Sequence, residues 1–266
     1  MTARHAEGTA TAQRELWGRR ARDWAAMQEG QARPLFEAGL EALRIGPGSR
    51  VLDVGCGSGM FCRMATDVGA VVSGYDATPE LLEIARERTP AGDFYEGDIE
   101  RLPWLDDSFD VVTGFDAFQY AARPVEALRE AARVLEPDGR LLIAGWGRPE
   151  QCEAGAVIAA LARLMPPSPP GAAGPWALSE PGALEELVSV AGLTPERGDD
   201  VVCTWRYSTL DGAIRAQLSS GPAVAAVGES GEPAVRRAME WTLEDFRDEG
   251  GEYVLENVFR YVIARP

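Results

Sequence analysis

The residues best suited to chemistry lie at 51–61, where Val51-Leu52-Asp53-Val54 runs into Gly55-Cys56-Gly57-Ser58-Gly59. Glycines at a strand-to-helix turn let the backbone approach a bound nucleoside and let the following helix start close to the strand. A dinucleotide-binding turn usually reads GxGxxG, with a helix N-terminus facing a pyrophosphate. Here the spacing is GxGxG, Asp53 stands two residues ahead of the first glycine, and no basic partner lies inside the motif. That arrangement suits a cationic ligand without phosphate, such as a sulfonium bearing an α-amino group. By itself the motif is equally a tight structural turn.

Two further acids extend the pattern. Asp76 follows Gly55 by about twenty residues, the distance at which an acid accepts hydrogen bonds from ribose hydroxyls. It could instead cap the next helix, but Thr78 already takes that position. Asp98, in Gly97-Asp98-Ile99, can accept from an adenine amino group while the next backbone amide pairs with a ring nitrogen. Alone it reads as a surface turn acid. Candidate bases or orienting groups are Asp116 and Tyr120, with Tyr207 a weaker third; Asp116 stands one residue past a predicted strand. Trp17, Trp24, Phe118, Tyr120, Trp146, Trp176 and Trp205 recur in segments expected to face a pocket. Aromatic walls can bury a planar acceptor and stabilise positive charge, although part of such a set simply packs the core.

These residues need a frame that brings them together. Apolar positions over 13–45 give an amphipathic stripe on one or two helices, interrupted near Gly30 and Pro34. From residue 50 the pattern alternates: strands at 51–54, 70–75, 93–96, 109–115 and 140–146, with helices at 60–68, 80–88 and 124–135. Thr78-Pro79-Glu80 opens the second helix, and Glu136-Pro137-Asp138-Gly139 stops the third. Strands separated by such helices imply right-handed crossovers and a parallel sheet, whose ligands sit at the carboxyl ends of the strands. Gly55–Gly59, Asp76, Asp98 and residues 115–120 all fall at those ends. Beyond 147 the regularity breaks: 165–175 reads as a loop or lid hinge, 183–191, 210–218 and 234–247 as helices, and 201–207 and 253–264 as strands. The two late strands suggest an antiparallel hairpin at the sheet edge, with a helical insertion over the active face.

Composition narrows the partners. With 26 Lys+Arg against 42 Asp+Glu the chain carries a net −16 over 266 residues. Such a chain repels polyanions, which argues against nucleic acid and anionic membranes. No apolar run approaches the ~18 residues a membrane span requires, and no signal peptide is visible. Cys56, Cys62, Cys152 and Cys203 lack paired spacing, which fits free thiols in the cytoplasm. No metal is expected, because the only histidine, His5, lies in the polar N-terminal tail.

In order and spacing, VLDVGCGSG, GYDATPELLEIARER, GDIERLPWLDDSFDVV and REAARVLEPDGRLLIAGW resemble the successive motifs of class I S-adenosylmethionine-dependent methyltransferases. The nearest likeness is to ubiquinone/menaquinone C-methyltransferases and small actinobacterial natural-product enzymes, whose N-terminal helix WGRRARDWA also resembles. The resemblance implies an α/β, Rossmann-like, doubly wound sheet of seven mostly parallel strands with an antiparallel edge strand, N-terminal helices and helical lid insertions. It divides the chain into a helical cap segment at 1–45 and a cofactor-binding domain at 46–266, with insertions near 148–178 and 208–250.

The implied cofactor is S-adenosyl-L-methionine. Gly55, Cys56, Gly57 and Gly59 would line its methionine and ribose portions, with Asp53 supporting the amino group. Asp76 would take the ribose, Ala77, Asp98 and Ile99 the adenine, and the Phe115 carbonyl the amino group. Trp17, Trp24, Phe118, Gln119, Tyr120 and Trp146 are the expected acceptor-binding residues. One departure stands out: Phe118-Gln119-Tyr120 occupies the place where many relatives carry histidines, so a histidine base is absent there. The expected activity is methyl transfer to a hydrophobic small molecule, in secondary metabolism, by a monomer or homodimer. A same-fold enzyme that binds the cofactor but catalyses a cyclisation is the alternative; a nicotinamide oxidoreductase fits the glycine spacing less well.

Overall fold

A computed structural model describes residues 8–166 and 174–266; His5 and most of the Pro/Gly-rich segment at 165–175 lie outside the described residues. The chain begins with α1 (Ala10–Gly18) and a single turn, α2 (Ala21–Asp23). A wide π-helical turn over Trp24–Gln28 and a 3-10 turn over Glu29–Ala32 lead into α3 (Arg33–Leu43). Pro34 does not break a helix. It sits in the first turn of α3, where its fixed φ and missing N–H cost nothing, and the irregularity lies just before it.

The alternating region then runs β1 (Arg50–Val54), α4 (Met60–Asp67), β2 (Val71–Asp76), α5 (Pro79–Arg88), β3 (Asp93–Glu96), β4 (Phe109–Phe115), α6 (Pro124–Val134) and β5 (Leu135–Trp146). There follow α7 (Ala154–Ala162), α8 (Ala183–Val190), β6 (Thr194–Tyr207), α9 (Leu210–Gln217), α10 (Gly221–Ser230), α11 (Glu232–Leu243) and β7 (Tyr253–Arg265). The strands form one seven-stranded sheet in the order β3-β2-β1-β4-β5-β7-β6. The first five are parallel, and β7 runs antiparallel to both β5 and the outermost strand β6.

Central strands of a parallel sheet are covered on both faces and become apolar throughout. In β1, Val51 faces one core beside Phe61 and Leu142, while Leu52 and Val54 face the other beside Val112 and Leu128. The strand order reverses between β1 and β4, and a crevice opens there at the carboxyl ends.

Three details differ from the sequence reading. β5 starts at Leu135, because residues 136–139 are absorbed as an irregularity between the Phe109 and Val111 pairings. β6 begins at Thr194, its first half exposed at the sheet edge. Helices α7 and α10 have no counterpart in the periodicity: AGAVIAALA is apolar on every face, and GPAVAAVGES opens on turn residues.

The Gly-rich turn is held by close packing. Gly59 has φ +78°, and a Cβ there would stand 2.7 Å from the Ala85 Cβ and 3.0 Å from its Cα. Gly59→Ala combines left-handed strain with a clash against α5, so a loss of about 2–4 kcal/mol is expected. Thermal unfolding should show a Tm lower by several degrees; an unchanged Tm would contradict this packing.

Candidate functional site

Two adjoining cavities occupy the switch point. The first is a cleft of about 750 Å³ counting its open mouth, lined by Gly55, Gly57, Asp76, Ala77, Thr78, Asp98, Ile99 and Ala117. The second is a chamber of about 910 Å³ counting its mouth, walled by Phe36, Trp146, Trp205 and Phe259 with Gln28, Glu29 and Gln217. Trp17, Trp24, Phe115, Asp116 and Tyr120 line both. The two spaces therefore meet at the end of β4.

In the cleft, Asp76 Oδ2 accepts from the Gly57 N–H at 2.9 Å and Oδ1 from the Thr78 N–H at 2.8 Å. The carboxylate ties the Gly-rich turn to the start of α5. The Thr78 side chain makes no cap bond, so Asp76 also does part of the capping. Gly57, at φ +54°, presents a bare backbone to the cleft: a Cβ there would meet only Glu29 Oε1 at 3.6 Å and Trp24 Nε1 at 3.9 Å. Asp98 Oδ1 accepts from the Glu100 N–H at 3.0 Å. Its loop is pinned by Tyr75, whose hydroxyl donates to the Arg101 carbonyl at 3.0 Å. At the mouth the chain passes over this loop at Gly8, where a Cβ would collide with the Asp98 carboxylate. The Thr9 hydroxyl donates to the Tyr120 carbonyl, closing the strap.

Asp53, Cys56 and Gly59 stand behind the cleft wall rather than in it. Asp53 is buried with Oδ1 accepting from the Thr113 hydroxyl at 2.7 Å and Oδ2 from the Cys62 thiol at 3.6 Å. Cys56 is buried with its thiol directed at the Gly57 carbonyl. These residues shape the turn from beneath.

Asp116 sits where cleft and chamber meet, with φ +53°, a left-handed conformation that a non-glycine residue adopts at a cost and that often marks functional positions. Its N–H is fixed to the Ala144 carbonyl at 2.9 Å, and its carboxylate accepts from Gln119 Nε2. Burial raises its pKa from 3.8 to about 7, against the opposing pull of Gln119 and the Trp146 indole. Tyr120 lines both spaces, but burial and the nearby Asp116 push its phenol well above 10. It keeps its proton. Tyr207 likewise is raised, by burial, and lies outside the lining of both spaces.

Of the expected acceptor-facing residues, Trp17, Trp24, Tyr120 and Trp146 line the chamber, whereas Phe118 and Gln119 do not. The 3-10 turn Phe118–Tyr120 turns successive side chains about 120° apart. Phe118 therefore enters the core on the far face of the sheet, packed over Gly114, while Gln119 turns to Asp116. Trp146 is the hub of the aromatic wall, 4.6 Å from Phe259, 5.3 Å from Trp176 and 5.6 Å from Trp205 between ring centroids.

Glu29 is a site residue that the sequence reading missed. It is buried in the chamber wall, accepting from the Ser58 hydroxyl at 2.5 Å and paired with Arg88. Arg88 also donates to the Ser58 carbonyl at 3.1 Å and the Ala25 carbonyl at 2.5 Å. This cluster clamps the N-terminal helices onto the Gly-rich turn. The π turn preceding it brings Trp24 and Gln28 to the cavity side, and such turns recur at functional sites.

The buried acids make stability depend on pH. Burial raises Asp53 and Asp116 from 3.8 to about 7 and also raises Asp76 and Glu29. Between their ordinary values and about 7 the folded chain holds protons that the unfolded chain releases, so stability falls as pH rises through that window. The ion-paired Asp110 and Glu130 are lowered, so their effects fall below it. The Tm of the ligand-free protein should drop between pH 5 and about 7.5, and Asp53→Asn should flatten the slope. A Tm that rises across this window would contradict the assignment.

Among the described residues, no helix is long and apolar enough to cross a membrane, and no group of three His, Cys, Asp or Glu could hold a metal ion. Residues 52–143 match the family described as a methyltransferase domain. A demethylmenaquinone methyltransferase of Renibacterium salmoninarum is 36% identical over 120 residues, covering 45% of this chain and 51% of that protein. A ubiquinone biosynthesis O-methyltransferase of Xanthomonas oryzae pv. oryzae is 36% identical over 126 residues, covering 45% and 53%. The chain thus spans about half the length of the curated relatives it matches. Among solved structures, the cyclase SpnF superposes with a TM-score of 0.58 at 21% identity, over 91% of this chain and 84% of that one. At that identity the likeness speaks for the fold.

Proposed function

From a chain whose residues 52–143 carry a methyltransferase domain, we propose an enzyme that transfers the methyl group of S-adenosylmethionine to a hydrophobic small molecule. The observation that carries this reading is the junction at Phe115, Asp116 and Tyr120, where a nucleoside-sized acidic cleft opens into an aromatic chamber. The donor fits the cleft. Among the described residues, Asp76, Asp98 and Asp116 are its only charged lining residues, with no basic side chain to meet a pyrophosphate. Gly57 offers open backbone in place of a side chain.

When bound, S-adenosylmethionine supplies an already activated methyl group. Asp76 would accept from ribose hydroxyls, Asp98 and the Ile99 amide would read adenine, Ala77 would lie beside it, and the Phe115 carbonyl would take the amino group. Holding two reactants in line is worth roughly 7–11 kcal/mol of barrier, so the main work of the chain is positioning. The Trp146, Trp205 and Phe259 walls exclude water and bury a planar acceptor. Asp116 would accept a proton from an acceptor hydroxyl, its pKa raised by burial to about 7. Four free, buried cysteines suit a reducing cytoplasm.

The test is turnover. Incubated with S-adenosylmethionine and a neutral small-molecule extract, the protein should release S-adenosylhomocysteine together with a product heavier by one methyl group. Product formation with the methyl donor left intact would support cyclisation instead and overturn this reading.

A further inference from the structure

Polar side chains in the wall of the aromatic chamber have hydrogen-bonding capacity that neither the fold nor the proposed chemistry uses. Tyr207 donates its hydroxyl to Gln28 Oε1 at 2.7 Å and accepts from Gln217 Nε2 at 3.2 Å. Burial holds the phenol in its protonated form, so the direction of donation is fixed. This one hydroxyl orients both amides. It occupies the oxygen of Gln28 and the nitrogen of Gln217, and leaves Gln28 Nε2 and Gln217 Oε1 without a hydrogen-bond partner among the described residues. Both residues are buried and line the chamber. Trp205 lines the same wall, is 6% exposed, and its indole N–H has no partner among the described residues.

The Trp205 N–H is a buried donor left unpaired, which is costly and calls for an explanation. These three groups lie on the part of the chamber that the cleft does not share, whereas Asp116 lies at the junction. The chamber lining contains no basic side chain among the described residues, and its acids are Asp116 and the Arg88-paired Glu29. An anionic guest finds no counter-charge there, while a carbonyl oxygen finds the Gln28 amide, with the buried, unpaired Trp205 N–H in the same wall.

We propose that Gln28, Gln217 and Trp205 form a recognition site for a neutral, planar acceptor bearing a carbonyl oxygen, and so set which molecules enter the chamber. The inference rests on the reading of the chamber as the methyl-acceptor site. The carbonyl edge takes the Gln28 amide and the Trp205 N–H, while Gln217 Oε1 accepts from any neighbouring N–H or O–H. The ring stacks within the Trp146, Trp205 and Phe259 wall, and a hydroxyl at the junction reaches Asp116.

The test uses two ring-matched probes, 6-hydroxy-1-tetralone and 5,6,7,8-tetrahydro-2-naphthol, which lacks the carbonyl. Each is titrated calorimetrically into the protein saturated with S-adenosylhomocysteine. The ketone should bind about tenfold more tightly, because the carbonyl-free ring leaves the polar groups unpaired. Trp205→Phe, which keeps an aromatic wall and loses the N–H, and Gln28→Met should each reduce that preference several-fold. Affinity for S-adenosylhomocysteine should be unchanged in both variants, since neither residue lines the cleft. Equal binding of the two probes, binding of neither, or a preference that survives both substitutions would overturn the inference while leaving the cofactor reading intact. Failure of the wild-type protein to bind S-adenosylhomocysteine would overturn the proposed function itself.

Discussion

Replacing Asp76 with alanine is expected to weaken S-adenosylhomocysteine binding by at least about tenfold, or about 1.4 kcal/mol. Two separate effects add in that direction. The carboxylate supplies the acceptors proposed for the ribose hydroxyls, and it also holds the Gly57 and Thr78 N–H groups that shape the cleft. Its removal leaves two backbone donors without partners at the mouth of the Gly-rich turn, each worth about 1–3 kcal/mol if water cannot replace the bond. Asp76→Asn should not rescue binding, because the Gly57 and Thr78 N–H groups bond different carboxylate oxygens and the amide NH₂ would face one of those N–H groups. Calorimetric titration beside a thermal melt separates lost affinity from lost fold. Unchanged affinity in a folded Asp76→Ala protein would remove the ribose assignment.

The second large effect is expected at Asp116. With a hydroxyl-bearing acceptor, Asp116→Asn should lower kcat/KM by about 10²–10⁴, the usual contribution of a positioned general base. Asparagine suits this position structurally, since it tolerates the left-handed backbone at φ +53° and its oxygen can still accept from Gln119. The pH profile gives an independent readout. A base raised to about 7 by burial is ionised only above that value, so wild-type kcat/KM should rise through about pH 7 and level off. The asparagine protein should lose that limb. A variant with wild-type rate and profile would reduce Asp116 to a residue that merely turns the chain.

The segment of the chain from β1 to β5 was legible in the sequence for a physical reason. Parallel strands buried on both faces are short apolar runs, and Gly and Pro punctuate them sharply. The chain beyond β5 obeys no such pattern. Helix α7 has no polar face to create a period, α10 starts on Gly221-Pro222, and the exposed edge of β6 from Thr194 to Asp200 alternates nothing. In the site, the glycines and the acids Asp76, Asp98 and Asp116 stood out because each falls at a strand end. Gln28 and Glu29 did not, because polar residues in an amphipathic segment read as solvated. Only pairing with Tyr207, Ser58 and Arg88, distant in sequence, buries them. Phe118 shows the converse: its position after β4 was read correctly, but the tight turn sends its ring to the opposite core.

The acidic cleft at the β1–β4 switch point is expected to take a sulfonium nucleoside rather than a phosphate-linked one. The most direct measurement is calorimetric titration of the purified protein with S-adenosylhomocysteine, S-adenosylmethionine and NADH. Saturable binding of both sulfur nucleosides at one site per chain, with no heat from NADH, is the predicted result. Binding of NADH, or the absence of binding by either sulfur nucleoside, would contradict it.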